Sequence, residues 1–311
     1  MLQVVTGFTV IGAAILCGYV LGRKNLLGQH AGYVLSRLVF FLLSPALLFT
    51  VMAQADPRTL FSPLLAVSLL AAVVVALLGY LVPRYFWGAP KSEALMLAAA
   101  SSQINSNNIG IPLSLYILGS TAYPAPVLLA QVLLFLPLLL TLLELLTRAP
   151  GQSIRKTVLH SLANPILLGS GLGIVVSLTG AQLPILVWDP VQLLANAAIP
   201  VLLVNFGISL AERRSAAAIA DRNMQRQNLL FAVFLKLLAM PLIAYLGGAL
   251  IFRLDPQQLY IVTILAALPA AQNTFNYAQR YAVGFSLVRD VVALTTLGCV
   301  PVIAGLALLF G

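Results

Sequence analysis

Apolar stretches about as long as a bilayer is thick recur from one end of this chain to the other, and no other sequence feature restricts its fold as strongly. They run roughly over 2–22, 31–52, 61–82, 92–119, 123–147, 157–178, 190–211, 228–251, 257–284 and 286–310. A helix needs ~20 such residues to cross the hydrocarbon core. The 311 residues are 61% hydrophobic and 8% charged, with a mean hydropathy of +1.01, outside the range of soluble domains. The short alternation of an outer-membrane barrel strand is missing. An all-α integral membrane protein of ten transmembrane helices is therefore expected. The first run has no basic leader and no small-residue cleavage site, so it is expected to be retained as a span.

Basic residues orient the bundle. Arg23, Lys24, Arg37, Arg84, Lys91, Arg148, Arg155, Lys156, Arg213, Arg214, Arg222, Arg226, Arg280 and Arg289 fall in or beside the loops after odd-numbered spans, whereas Arg58 and Arg253 follow even ones. Lys and Arg mark the cytoplasmic side, so both termini are expected outside, in a plasma or bacterial inner membrane. Topology and anionic lipid account for the net charge of +9 without nucleic acid. The longest polar stretch, Glu212 to Asn228, is too short for a domain and reads as a cytoplasmic linker. With no soluble domain in view, function is expected inside the membrane. Cys17 and Cys299 lie in apolar runs and read as small buried hydrophobes.

Punctuation recurs in order along the two halves, 1–150 and 151–311. Span two has "LSPALLF" around Pro45 and span seven "AIPVLLV" around Pro200; span five has "FLPLLL" at Pro137 and span ten "CVPVIA" at Pro301. Span four carries "SSQINSNNIGIP" and span nine "ALPAAQNTFNY", so each half keeps its polar, breaker-containing segment in its fourth span. Five spans is an odd number, so the second half must run inverted relative to the first. An inverted five-plus-five repeat is expected.

A broken helix at membrane depth survives only where protein or a water-filled cavity satisfies its backbone. Pro112 lacks an N–H and Gly110 tolerates unusual backbone angles, so span four is expected to break near Asn108 to Pro112. In span nine the matching candidates are Pro269 and the run Gln272, Asn273, Thr274 and Asn276. Each break exposes one half-helix end with free N–H groups and one with free carbonyls. Two facing breaks make a polar chamber that binds an anion without a formal positive charge. The amides of Gln103, Asn105, Asn107, Asn108, Gln272, Asn273 and Asn276 add donors and acceptors. Lone Asn or Gln in a membrane helix often only bonds a neighbouring helix. Two clusters in equivalent places of inverted halves favour a binding site.

The order "SSQINSNNIGIPL", "ALPAAQNTFNYAQRY" and "TTLGCVPVI" resembles the auxin efflux carrier family, which includes plant PIN-type exporters and bacterial permeases for small organic acids. The resemblance covers the whole chain. It implies a fold similar to sodium/bile-acid symporters and crossover-type sodium/proton antiporters, with a scaffold and a mobile transport part. It also implies that the broken fourth and ninth helices cross, and that an asparagine beside the crossover, here Asn105, holds the substrate carboxylate. The family's second proline in span nine is replaced by Thr274.

Intramembrane ionisable residues are candidates for coupling charges. Lys236 is weighed as a counter-charge to the substrate against snorkelling or helix packing, the latter favoured. Glu144 reads as a surface partner of Arg148, and Asp290 as an acid stabilised at a helix start beside Arg289. His30 and His160 have no ligand cluster near them, so no metal and no cofactor are expected. The crossover spans lack the carboxylate of a cation/proton antiporter, and the chain lacks the paired-Asp or His-Glu-x-x-His motif of an intramembrane enzyme. Sodium and proton coupling both stay open at this point. Gly12, Gly18, Gly169, Gly171 and Gly173 on spans one and six offer close packing surfaces, through which a homodimer is an expectation. These readings converge on a secondary transporter of a small organic anion, with a cation/proton antiporter or sodium-coupled symporter as the alternative.

Overall fold

The computed structural model describes residues 2–54, 62–119, 123–148, 163–211 and 222–310. The described chain is helical, with no strand. The elements are α1 (Leu2–Arg23), α2 (Ala31–Gln54), α3 (Pro63–Phe86), α4 (Lys91–Ser102), α5 (Ile111–Leu118), α6 (Pro124–Thr147), α7 (Pro165–Thr179), α8 (Ile185–Ala211), α9 (Met224–Ile251), α10 (Pro256–Ala266), α11 (Gln272–Tyr281) and α12 (Phe285–Phe310). Six of these, α2, α3, α6, α8, α9 and α12, are long and apolar enough to cross a membrane. The protein is thus a multi-pass membrane protein. Of the polar stretch Glu212 to Asn228, residues 212–221 lie outside the described residues, as does His160, and from Arg222 the chain is already helical.

Helix starts follow local chemistry. Ser62, Asn164 and Asp255 each precede a proline, and each side chain accepts a hydrogen bond from a backbone N–H of its helix's first turn. The proline occupies a position whose N–H would be orphaned anyway. Asp255 and Gln258 complete a capping box on α10.

Interior prolines act differently. Wide π turns at Val39–Leu43, Ser106–Gly110, Gln131–Phe135 and Leu235–Ala239 each end two residues before a proline, at 45, 112, 137 and 241. A proline ring collides with the carbonyl four residues back and offers no N–H. Widening the turn lets the preceding N–H reach five residues back instead, as Ser44 does to Val39 and Met240 to Leu235. Pro200 and Pro301, the expected counterparts of Pro45 and Pro137, lie inside α8 and α12 with no such turn before them.

Glycines bring two helix pairs together. A Cβ at Gly18 would overlap the Val204 carbonyl, and one at Gly207 the Ile15 carbonyl, which locks α1 against α8. Gly169 and Gly173 do the same for α7 against the Pro45 and Phe49 carbonyls of α2. Gly18, Gly169 and Gly173 are therefore spent within the chain, which corrects their expected role as a dimer surface. Only Gly12 and Gly171 of that set face open space. Cys17 is exposed on α1, not buried as expected, while Cys299 is buried.

Candidate functional site

Both interrupted segments break, and they break against each other. After Ser102 the chain runs extended through Gln103, and after Ala266 it passes through Leu268, Pro269 and Ala270 before α11 begins. Ile104 and Ala270 form an antiparallel bridge. Asn105 N–H donates to the Pro269 carbonyl at 2.9 Å, and Ala271 N–H to the Gln103 carbonyl at 3.1 Å. The Thr295 hydroxyl of α12 accepts from Ala270 N–H at 3.2 Å. Two unwound stretches thus satisfy one another in the interior, which is the condition for breaking a helix away from water.

The break in the first segment lies at Gln103–Asn105, earlier than the expected Asn108 to Pro112. Gly110 has ordinary helical angles, φ −63° and ψ −47°, so its role is not unusual backbone geometry. A Cβ there would lie 3.0 Å from Leu268 Cδ1 and 3.1 Å from the Asn105 carbonyl. A larger side chain would require one of these neighbours to shift, Leu268 across the crossing or the Asn105 backbone of the same segment. Pro112 lies in the first turn of α5 directly after the wide turn Ser106–Gly110, which accommodates its ring and missing N–H. The side chains of Asn107, Asn108 and Pro112 lie outside the described ones.

A chamber of about 50 Å³ opens beside the crossing, lined by Gln103, Asn105, Ser106, Gln131, Gln272, Asn273 and Tyr277, with Leu48 of α2 on the facing wall. That volume exceeds the ~10–15 Å³ a single water requires. Asn105 and Gln272 are buried, while Asn273 is partly exposed. The N-terminus of α11 and the turn that starts at Ser106 both open onto it, so two positive helix ends converge. No carboxylate lines the chamber among the described residues. Asn276 is buried but outside the lining, and its Oδ1 has no hydrogen-bond partner. Pro269 contributes its carbonyl to the crossing.

Three polar lining residues escaped sequence reasoning. Gln131 of α6 donates through Nε2 to the Ser106 hydroxyl at 3.0 Å and so ties α6 to the crossover. Its signal was visible: a single amide in the apolar run "VLLAQVLLF". Ser106 and Tyr277 had no comparable mark.

Lys236 is fully buried and does not snorkel. Its Nζ donates to the Ala266 carbonyl at 3.1 Å and lies 2.9 Å from Met240 Sδ. Ala266 is the last residue of α10, so the ammonium sits at the negative end of a half-helix, at the crossing. Glu144, half-buried, lies against Tyr281 of α11. Asp290, expected to be stabilised by the helix start, pairs with its neighbour Arg289 at 3.0 Å.

A second set of bonds joins α11 and α12 to α2 and α8. Asn205 Nδ2 donates to Gln279 Oε1 at 2.9 Å, Gln279 Nε2 to the Gly32 carbonyl at 3.1 Å, and Arg289 Nη1 to the Ser209 carbonyl at 2.8 Å. Arg280 stacks over Phe40 and Phe41, with its guanidinium carbon 5.5 and 5.2 Å from the ring centres.

Apolar crossing helices around a paired helix break and an amide-lined recess define a membrane carrier of small solutes. Comparison with known sequences agrees: residues 4–307 match the family described as "Membrane transport protein". The chain belongs to that family, which includes the auxin efflux carriers its crossover motifs resemble. It is similar to a Rhizobium meliloti (strain 1021) protein named "Putative malonate transporter", with 26% identity over 304 residues covering 94% of this chain and 91% of the relative. It is also similar to an "Uncharacterized transporter" of Methanothermobacter thermautotrophicus, 24% identical over 289 residues covering 91% and 90% of the two chains.

Proposed function

We propose that this protein is a secondary transporter of a small organic anion, a carboxylate, which it binds at the crossover and moves by alternating access. One observation carries the reading: two helix breaks pair with each other, and their N-terminal ends and amides converge on one recess that, among the described residues, no carboxylate lines. An anion gains there from helix ends and neutral donors and meets no fixed negative charge. In this reading Asn105, Gln272 and Asn273 contact the substrate, with Asn107, Asn108 and Asn276 as further amides and Gly110, Pro112 and Pro269 shaping the crossing. Lys236 is the leading charge for coupling, ahead of Glu144 and Asp290. Malonate is the first substrate to try, since a relative carries that name.

The mechanical part of the proposal rests on helix packing. Ten spans form an inverted five-plus-five repeat of residues 1–150 and 151–311. The glycine-locked pairs α1 with α8 and α2 with α7 make the scaffold, against which α3 to α6 and α9 to α12 move as one body. The protein sits in a bacterial inner membrane with both termini outside, and any homodimer uses Gly12 and Gly171. The test is thermal stabilisation of the detergent-purified protein by a panel of small carboxylates, repeated on Asn105→Ala and Asn273→Ala. A shift in the parent that disappears in both variants is expected. No shift with any anion, or an undiminished shift in both variants, refutes the site.

A further inference from the structure

We infer that Lys236 is this protein's built-in coupling cation: its ammonium fills, on a covalent tether, the half-helix end at which a free sodium ion would otherwise bind. The inference rests on the reading of the crossover as a transport site. In carriers with discontinuous helices, half-helix C-termini and unwound carbonyls hold the coupling cation. Here the last residue of α10, Ala266, gives its carbonyl to Lys236 Nζ at 3.1 Å, and Met240 Sδ lies on the same nitrogen at 2.9 Å.

Lys236 has 0% exposure, and among the described residues no carboxylate pairs with it. The titratable group facing it is Cys299 of α12. A lysine kept only for packing would extend along its helix to the membrane surface. This one arises in the π turn Leu235–Ala239, which Pro241 imposes on α9, and reaches across to another element's end. A cation tethered there complements the negative half-helix end and occupies the Ala266 carbonyl that a sodium ion would otherwise use. It also adds a positive charge close to the crossing without lining the chamber itself. The consequence is a carboxylate carrier that neither binds nor needs sodium.

Three measurements decide the matter. Purified parent protein is titrated with radioactive sodium, and no saturable binding is expected; a saturable site overturns the inference whether or not any carboxylate is carried. Lys236→Ala removes the side chain beyond Cβ, and n-propylammonium has the missing atoms. The melting temperature is expected to fall in Lys236→Ala and to recover by at least half with n-propylammonium, but not with n-propanol. Equal recovery with the alcohol, or none with the amine, means that only volume was lost and overturns the proposal. Lys236→Met keeps the length without the charge and covers the case in which the alanine variant does not fold. In proteoliposomes it is expected to take up malonate about tenfold more slowly or worse, as for a lost charge-assisted bond, while parent uptake is unchanged when potassium replaces sodium. Parent-like uptake by Lys236→Met, or sodium-dependent uptake by the parent, overturns it. If the parent carries no carboxylate at all, the proposed function fails, and the sodium and amine measurements still decide the role of Lys236.

Discussion

At Gly110 a missing side chain matters more than backbone freedom. The neighbour at 3.1 Å is the Asn105 carbonyl, which cannot retreat without moving the strand-like pairing of the crossover. Gly110→Val is expected to lower stability by about 1–3 kcal/mol through overpacking, read in thermal melts, and to abolish the carboxylate-induced shift. Gln131 tests the opposite case of a residue with function and little structural weight. Its side-chain amide donates to the Ser106 hydroxyl, so Gln131→Leu is expected to fold normally and to bind carboxylate about tenfold more weakly, the equivalent of one hydrogen bond. A ligand titration followed by melting checks both halves. The residue type of Gln131 was readable in the chain, but its partner was not, because Ser106 lies on another helix.

Among elements, prolines and glycines were legible as punctuation and misleading as to place. Gly110 and Pro112 drew the expected break toward themselves, yet the helix opens at Gln103–Asn105. It opens there because the opposite segment, around Pro269, supplies backbone partners at that level. Pro112 only widens the turn before it, as Pro45, Pro137 and Pro241 do. Glycines likewise needed a partner to acquire meaning. Gly207→Ala puts a methyl into the Ile15 carbonyl and is expected to cost about 1–3 kcal/mol, whereas Gly12→Ala meets nothing within 4 Å and is expected to be neutral. Comparing the two melting temperatures tests whether the α1–α8 crossing is as tight as drawn.

For the whole molecule, one face is fastened. Asn205, Gln279, Gly32, Arg289 and Ser209 bond α11 and α12 to α2 and α8 on the arginine-rich side. The proposed alternating access requires that these bonds break in every cycle. With Cys17→Ser and Cys299→Ala as background, Asn205→Cys with Gln279→Cys joined by a short, reducible bifunctional thiol reagent is expected to stop malonate uptake, and reductant to restore it. Uptake that continues in the cross-linked protein contradicts relative movement of the two bodies.

The sequence alone determined that this is a helical membrane protein with two polar interruptions, because spans of apolar residues and clusters of amides are properties of composition and order. It also marked the family, because motif order survives in a single chain. Tertiary structure decided where the helices open, which glycines are already occupied and where Lys236 points. Each of those depends on a group brought from distant sequence: the Pro269 carbonyl for Asn105, the Val204 carbonyl for Gly18, and the Ala266 carbonyl for Lys236. A buried polar group is stable only with its partner, and the partner is supplied by the fold.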